Sequence, residues 1–321
     1  MSGTQMELEE ESYCWLFEDE QVILWGEEDV TYTLFDLTYM VAREMGITIE
    51  GIATSGATTT IIDTNDRTED NDYWNGGTAW ILRDALGASA APEGQYSVIS
   101  DHTSAGTVTL RDALTAAVAV GDRYAVADDK VPLHIIIQKI NQALTDLGAI
   151  PYTDTTSVTI ADDKTEYTLP AAANLDLRAV YIQMEDDDTN DNQWREILTW
   201  SVERQDPGNA DLLILQEQYL SGYDLKLEYM ANHADLFTYT DPLSEHVPAE
   251  RVIYPAIVEC LKYRKQRTRW RDFDADIARY EAKAEQVRQT RPIRQLQRSA
   301  RLMIVGDTPI EYESEPGKVY L

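Results

Sequence analysis

The hydrophobic period changes repeatedly along the chain, and that alternation limits the fold more than any other feature. In "TYTLFDLTYMVAREMG", Leu34, Leu37, Val41 and Met45 recur at helical spacing, with Thr33 placed as N-cap, Asp36 in the first turn and Gly46 as the stop. A helix over 34–45 is predicted. From 51 to 130 the texture turns to short β-type runs: "TTTIID", "TAWILR", "QYSVIS", "GTVTLR" and "DRYAVA" read as strands, separated by "NGG", "PEG" and "SAG". "KVPLHIIIQKINQALTDLG" returns to the helical period, with Pro132 at the first helical position and Gly148 just past the end. Between about 155 and 230 the β texture resumes. Tyr223, Leu225, Leu227 and Tyr229 alternate with Asp224, Lys226 and Glu228; Leu198, Trp200 and Val202 share a face of "ILTWSV"; "DLLILQ" is apolar throughout, as a central strand is.

The last third is helical again. Ile253, Ala256, Ile257, Cys260 and Leu261 form a stripe, and Pro255 inside it predicts either a kink or a start near 252. Phe273, Ile277, Tyr280, Ala284 and Val287 recur at spacings of four and three, the seam of a helix lying on another helix. The resulting expectation is an α+β protein: a helical bundle assembled from distant segments, with two inserted all-β modules and an extended C-terminal tail. Its parts are an N-terminal segment with the first core helix (1–50), a β module (51–130), a second core helix (131–150), a second β module (151–247), basic C-terminal core helices (248–303) and the tail (304–321). The 321 residues exceed one typical domain, in keeping with several compact units.

Charge is unevenly spread. The chain carries a formal −30, yet residues 262–301 hold 13 Lys and Arg against 5 Asp and Glu. Arg264, Lys265, Arg267, Arg269 and Arg271 fall at the end of a predicted helix, where the dipole favours cations. With Thr290 as a possible N-cap and Pro292 near the first position, a short helix to about 303 would carry Arg291, Arg294, Arg298 and Arg301 on one face. Such a segment on an acidic body points to a contact surface for acidic surface on neighbouring subunits or another protein, read against the plainer alternative of a solvated face. The excess of acid, with 19 Arg against 8 Lys, also suits a halophilic host, since high salt screens self-repulsion.

Chemistry is hard to find. His102, His134, His233 and His246 stand apart from one another and from the two cysteines, Cys14 and Cys260, so neither a metal motif nor a nucleophile motif forms, and no glycine-rich phosphate loop is present. No cofactor and no enzyme activity are expected. Asp186, Asp188, Asn190 and Asn192 repeat as in a calcium loop, but Asp191 and Ile197 occupy the places that need Gly and Glu, so a solvated turn is the reading. No apolar run reaches membrane-spanning length, and the acidic opening "MSGTQMELEEESYCWLFEDE" is unlike a signal peptide, so neither a membrane nor export is expected.

Several stretches together carry a resemblance: "TEYTLP", "WREILTW", "SGYDLKLEYMANHADL" with Tyr229, Ala231 and Leu236, "HVPAERVIYPAIVECLKYRKQRTR", the opening "YTLFDLTYMVAREMG", and the inserts "NDYWNGG" and "VAVGDRYAV". The chain resembles head–tail adaptor (connector) proteins of tailed bacteriophages and tailed archaeal viruses over most of residues 30–300. It departs from small members in its length and its β-rich stretches. The resemblance implies a virion structural protein, assembled in the host cytoplasm and sited at the head–tail junction. There it would form a homo-oligomeric ring, usually of twelve copies, under the portal protein, extend the DNA channel and dock a neck or tail completion protein. Genomic double-stranded DNA would pass without tight binding, because phosphates gripped by Lys or Arg would oppose its exit. The tail, with Ile310, Tyr312, Val319 and Tyr320 in "PIEYE" and "KVYL", is expected to add as a strand to a neighbour, most readily the portal. Two rival classes stay open. One is a tail or capsid-decorating binding module that recognises a receptor or glycan. The other is an enzyme acting on a polymer, such as a virion glycosidase.

Overall fold

Local chemistry sets the first helix. Thr33 and Asp36 cap each other reciprocally: the Thr33 amide donates to Asp36 Oδ2 at 2.8 Å, and the Asp36 amide donates to Thr33 Oγ1 at 3.4 Å. Gly46, at φ +64°, turns the chain out of the helix. The computed structural model describes residues 31–296, apart from 86, 88, 172, 174–175, 185–192, 207–208, 220 and 269–270. Helix α1 (Leu34–Glu44) is followed by β1 (Thr48–Ile52), β2 (Ser55–Ala57), β3 (Thr60–Ile62), β4 (Thr78–Arg83), β5 (Gln95–Thr103), β6 (Thr107–Leu110) and β7 (Arg123–Ala127). These strands form one antiparallel sheet in the order β1-β7-β4-β5-β6-β3-β2. Helix α2 (Leu133–Leu147) leads to β8 (Ala149–Asp154), β9 (Glu166–Thr168), β10 (Leu177–Met184), β11 (Gln193–Glu196), β12 (Trp200–Glu203), β13 (Leu212–Leu215) and β14 (Leu225–Asn232). They make a four-stranded sheet, β11-β10-β14-β8, and a three-stranded one, β12-β13-β9. Helices α3 (Glu250–Arg267) and α4 (Asp274–Thr290) follow.

The expected fold class is overturned. Among the described residues, fourteen strands in three antiparallel sheets outweigh four helices, so the molecule is mainly β rather than a helical bundle bearing β inserts. Strand β4 shows why. Trp80 and Ile81 are neighbours, point to opposite faces and are both fully buried. Ile81 joins Ile61, Ile99, Val108 and Val126 in a core under the sheet. Trp80 joins Ala125 and Ala127 in a second core shared with all four helices. A sheet buried on both faces is a central layer, not an appendage. Trp80 Nε1 donates to Thr38 Oγ1 of α1 at 3.1 Å, with both residues fully buried, and Thr38 Oγ1 donates to the Phe35 carbonyl at 2.9 Å. The third core closes the four-stranded sheet on the three-stranded one, with Val180, Leu225 and Leu227 facing Trp200, Leu213 and Leu215.

Smaller differences have local causes. Leu198 lies outside β12 and is exposed, so it does not share the inner face with Trp200. Helix α3 begins at Glu250 and runs through Pro255, its sixth residue, which has no N–H to offer the Arg251 carbonyl one turn back.

The connector 233–249 joins β14 to α3 and is stitched to both earlier helices. The Asn141 side chain of α2 brackets Leu236, Nδ2 donating to its carbonyl and Oδ1 accepting from its amide, both at 2.9 Å. The Leu34 and Phe35 amides, free at the start of α1, donate to the Asp241 and Tyr239 carbonyls at 2.9 and 3.1 Å.

Candidate functional site

The elbow between α3 and α4 gathers the basic residues that stand out in the sequence. Arg264 and Arg267 lie in the last turn of α3, and Arg271 lies in the segment leading to α4. Phe273, almost fully buried, anchors the elbow. The Arg264 and Arg271 guanidinium carbons stand 5.3 and 5.1 Å from its ring centroid. The Arg267 guanidinium stands 5.6 Å from the Tyr263 ring, and its Nη1 also donates to the Tyr263 hydroxyl at 3.0 Å. Contacts of this kind stabilise by about 0.5–1 kcal/mol at exposed sites. Burial holds the half-buried Arg264 below its usual pKa; Asp128 opposes that shift and Arg271 adds to it.

Most cations of this region are paired, Arg288 with Glu285 at 3.4 Å among them. Lys262 pairs with Glu259 and Glu281 at 3.0 and 3.3 Å, Lys265 pairs with Asp274, and Lys283 pairs with Glu44 at 3.7 Å. Each lysine of the described 262–296 stretch is therefore neutralised within the subunit. Among the described residues, Arg264, Arg267 and Arg271 have no carboxylate within 4 Å, and only Asp128 acts on Arg264 from farther away.

The second arginine group does not form as expected. Thr290 is the last residue of α4, not the cap of a new helix, and its hydroxyl donates to the Gln286 carbonyl at 2.9 Å. Residues 291–296 are not helical, so Arg291 and Arg294 do not share a helix face. Pro292 explains this, since the residue before a proline is pushed out of the helical region, and Arg291 sits at φ −126°, ψ 67°. Arg291 instead pairs with Glu250 at the start of α3, at 2.8 Å, and Arg294 is exposed. Arg269, Arg298, Arg301, Ile310, Tyr312, Val319 and Tyr320, and the Asp186–Asn192 repeat, lie outside the described residues.

Two polar groupings escaped the sequence reading. The first is buried beside the seven-stranded sheet. Arg67 is 2% exposed and lies between the Trp74 and Tyr124 rings, 5.9 and 5.5 Å from their centroids. Its Nη2 donates to the Glu50 carbonyl at 2.9 Å, and its Nη1 stands 3.5 Å from Glu69. Tyr124 donates to Asp63 Oδ2 at 2.6 Å; burial first, then this bond, pushes its hydroxyl well above the usual pKa. The signal was a lone Arg in the acid-rich run "DTNDRTEDNDYW" just before a Trp. The second is a cleft of about 640 Å³ lined in part by Tyr152, His233, Asp241, Ser244 and His246. Its polar groups hold their own loop: His233 Nε2 accepts from the Ser244 amide at 3.0 Å, and Asp241 Oδ2 accepts from the Phe237 and Thr238 amides at 2.6 and 2.8 Å.

No family model matches the chain, and no curated protein matches it. Among the described residues, no group of three or more His, Cys, Asp or Glu side chains is placed to hold a metal ion. None of the described helices is long and apolar enough to cross a membrane.

Proposed function

We propose that this chain is a virion structural protein, a head–tail adaptor that assembles as a homo-oligomeric ring under the portal. The observation that carries the reading is the electrostatic division of the subunit. Three arginines with no carboxylate within 4 Å among the described residues sit at one helical elbow of a chain whose formal charge is −30. A surface that is basic at one place and acidic elsewhere is complementary to its own copies in a head-to-tail sense, and head-to-tail contacts close into rings when the rotation allows. The acidic body also suits a channel wall past which DNA must slide, because each phosphate neutralised by Lys or Arg would add salt-dependent grip. Portal, neck or tail completion protein and passing duplex DNA are the partners of this reading. The virion at the head–tail junction is its location.

Native mass spectrometry and negative-stain images of the full chain, alone and with portal, test it. A closed ring that docks on portal is the expected result. A monomer with no affinity for portal in both about 0.15 M and about 1 M salt, where screening lengths differ more than twofold, would refute it. So would nanomolar binding of free protein to duplex DNA at the lower salt.

A further inference from the structure

We infer that Arg264, Arg267 and Arg271 form a receptor for carboxylates presented by a second copy of this chain. The inference deepens the ring reading and rests on it. Three observations converge on the elbow. The lysines nearby are paired within the subunit, while the three arginines have no carboxylate within 4 Å among the described residues. Phe273 backs the Arg264 and Arg271 guanidinium groups, and Tyr263 backs that of Arg267. Arg264 is already partly desolvated, with Nε buried and without a partner.

The chemistry follows from guanidinium shape. A ring that backs a flat cation limits the directions it can turn, so less conformational freedom remains to be lost when a ligand binds its N–H edge. That edge matches a carboxylate in a two-point pair, which a lysine cannot reproduce. Carboxylates are what a second copy offers most densely: residues 1–261 hold 48 Asp and Glu against 13 Lys and Arg. A duplex offers phosphates to the same edges, but it approaches a molecule of charge −30 against net repulsion. The second copy is therefore the favoured occupant.

The test compares the full chain with two triple variants, Arg264→Glu/Arg267→Glu/Arg271→Glu and Arg264→Lys/Arg267→Lys/Arg271→Lys. Sedimentation velocity measures self-association, and melting with far-UV circular dichroism checks the fold. The Glu variant is expected to weaken association on the order of a hundredfold, the scale of losing charged interface pairs. The Lys variant, which keeps the charge and removes the fork, is expected to weaken it about tenfold with the parent's melting curve. Should the Glu variant fail to fold, the Lys variant decides. Association equal to the parent's in a folded variant overturns the inference. So does a parent chain that stays monomeric, or arginine-dependent binding of a 30-base-pair duplex, about three helical turns, with self-association unchanged. Imaging particles separates the two levels. Arginine-dependent oligomers absent from the head–tail vertex sink the adaptor reading alone, whereas vertex rings formed normally by the Glu variant sink the receptor alone.

Discussion

Thr38→Val tests whether sheet and helices are one unit. Val keeps the size of Thr and has nearly the same helix propensity, so the substitution removes little besides the hydroxyl. The hydroxyl's bond to the Phe35 carbonyl goes with it, and the Trp80 indole N–H, fully buried, loses its acceptor at 3.1 Å. Leaving a buried donor unsatisfied costs about 1–3 kcal/mol, well above the net value of an ordinary exchanged bond. At about 2–4 °C per kcal/mol for a large domain, a cost near 2 kcal/mol lowers the melting temperature by about 4–8 °C. The assay is thermal unfolding followed in parallel by tryptophan fluorescence and by helical circular dichroism. Both midpoints should fall together, because Trp80 shares its core with residues of all four helices. Trp80→Phe in the same background removes the donor, so the double variant should recover part of the hydrogen-bond loss in a double-mutant cycle. A helical transition that stays in place while fluorescence shifts, or a cost under about 0.5 kcal/mol, which is no more than a surface substitution, would show that the sheet does not depend on α1.

Raising KCl from about 0.1 to about 1 M shortens the screening length from about 10 to about 3 Å, and with a formal charge of −30 the melting temperature should climb; a flat or falling curve contradicts this. Gly77→Ala should destabilise by at least about 2 kcal/mol through overpacking, because its Cβ would meet the Ala127 carbonyl oxygen at 2.1 Å; parental stability in urea would argue against that close approach. The hydrogen bond from Lys265 holds the Asp274 carboxyl below 3.8 in the folded chain. Its contribution is thus present above that value and is lost as pH falls through the lower, folded value. A carbon-detected titration placing its midpoint at or above 3.8 would remove the pair from solution.

Local order was legible because its causes are local. Thr33, Asp36 and Gly46 bound α1 within a residue of expectation, and turn residues such as those in "NGG" and "SAG" separated the strands that became β4 to β7. The layering was not legible. Trp80 and Ile81 look alike as apolar neighbours, and nothing local says that one faces helices far along the chain and the other a core of the same sheet. The short β2 and β9 carry too few residues to show a period. Of the elbow, the arginine cluster was plain in the sequence. The sorting of lysines into internal pairs was not, because Lys265 meets Asp274, and Lys283 meets Glu44, only when α3, α4 and α1 come together. Arg291 was misplaced because its partner, Glu250, is brought near only by that same packing.

The stitched connector makes the chain a stiff transmission. Residues 233–249 have no regular structure through most of their length, and such a stretch would ordinarily act as a hinge between a sheet and a helix. Here Asn141 grips it from α2, and the first amides of α1 hold it by its carbonyls. A push on α3 therefore cannot be absorbed in the connector without tearing bonds to both earlier helices. It passes into β14, which pairs with β10 and β8 inside the four-stranded sheet. The connector thereby couples the position of α3 to the four-stranded sheet through bonds to α1 and α2.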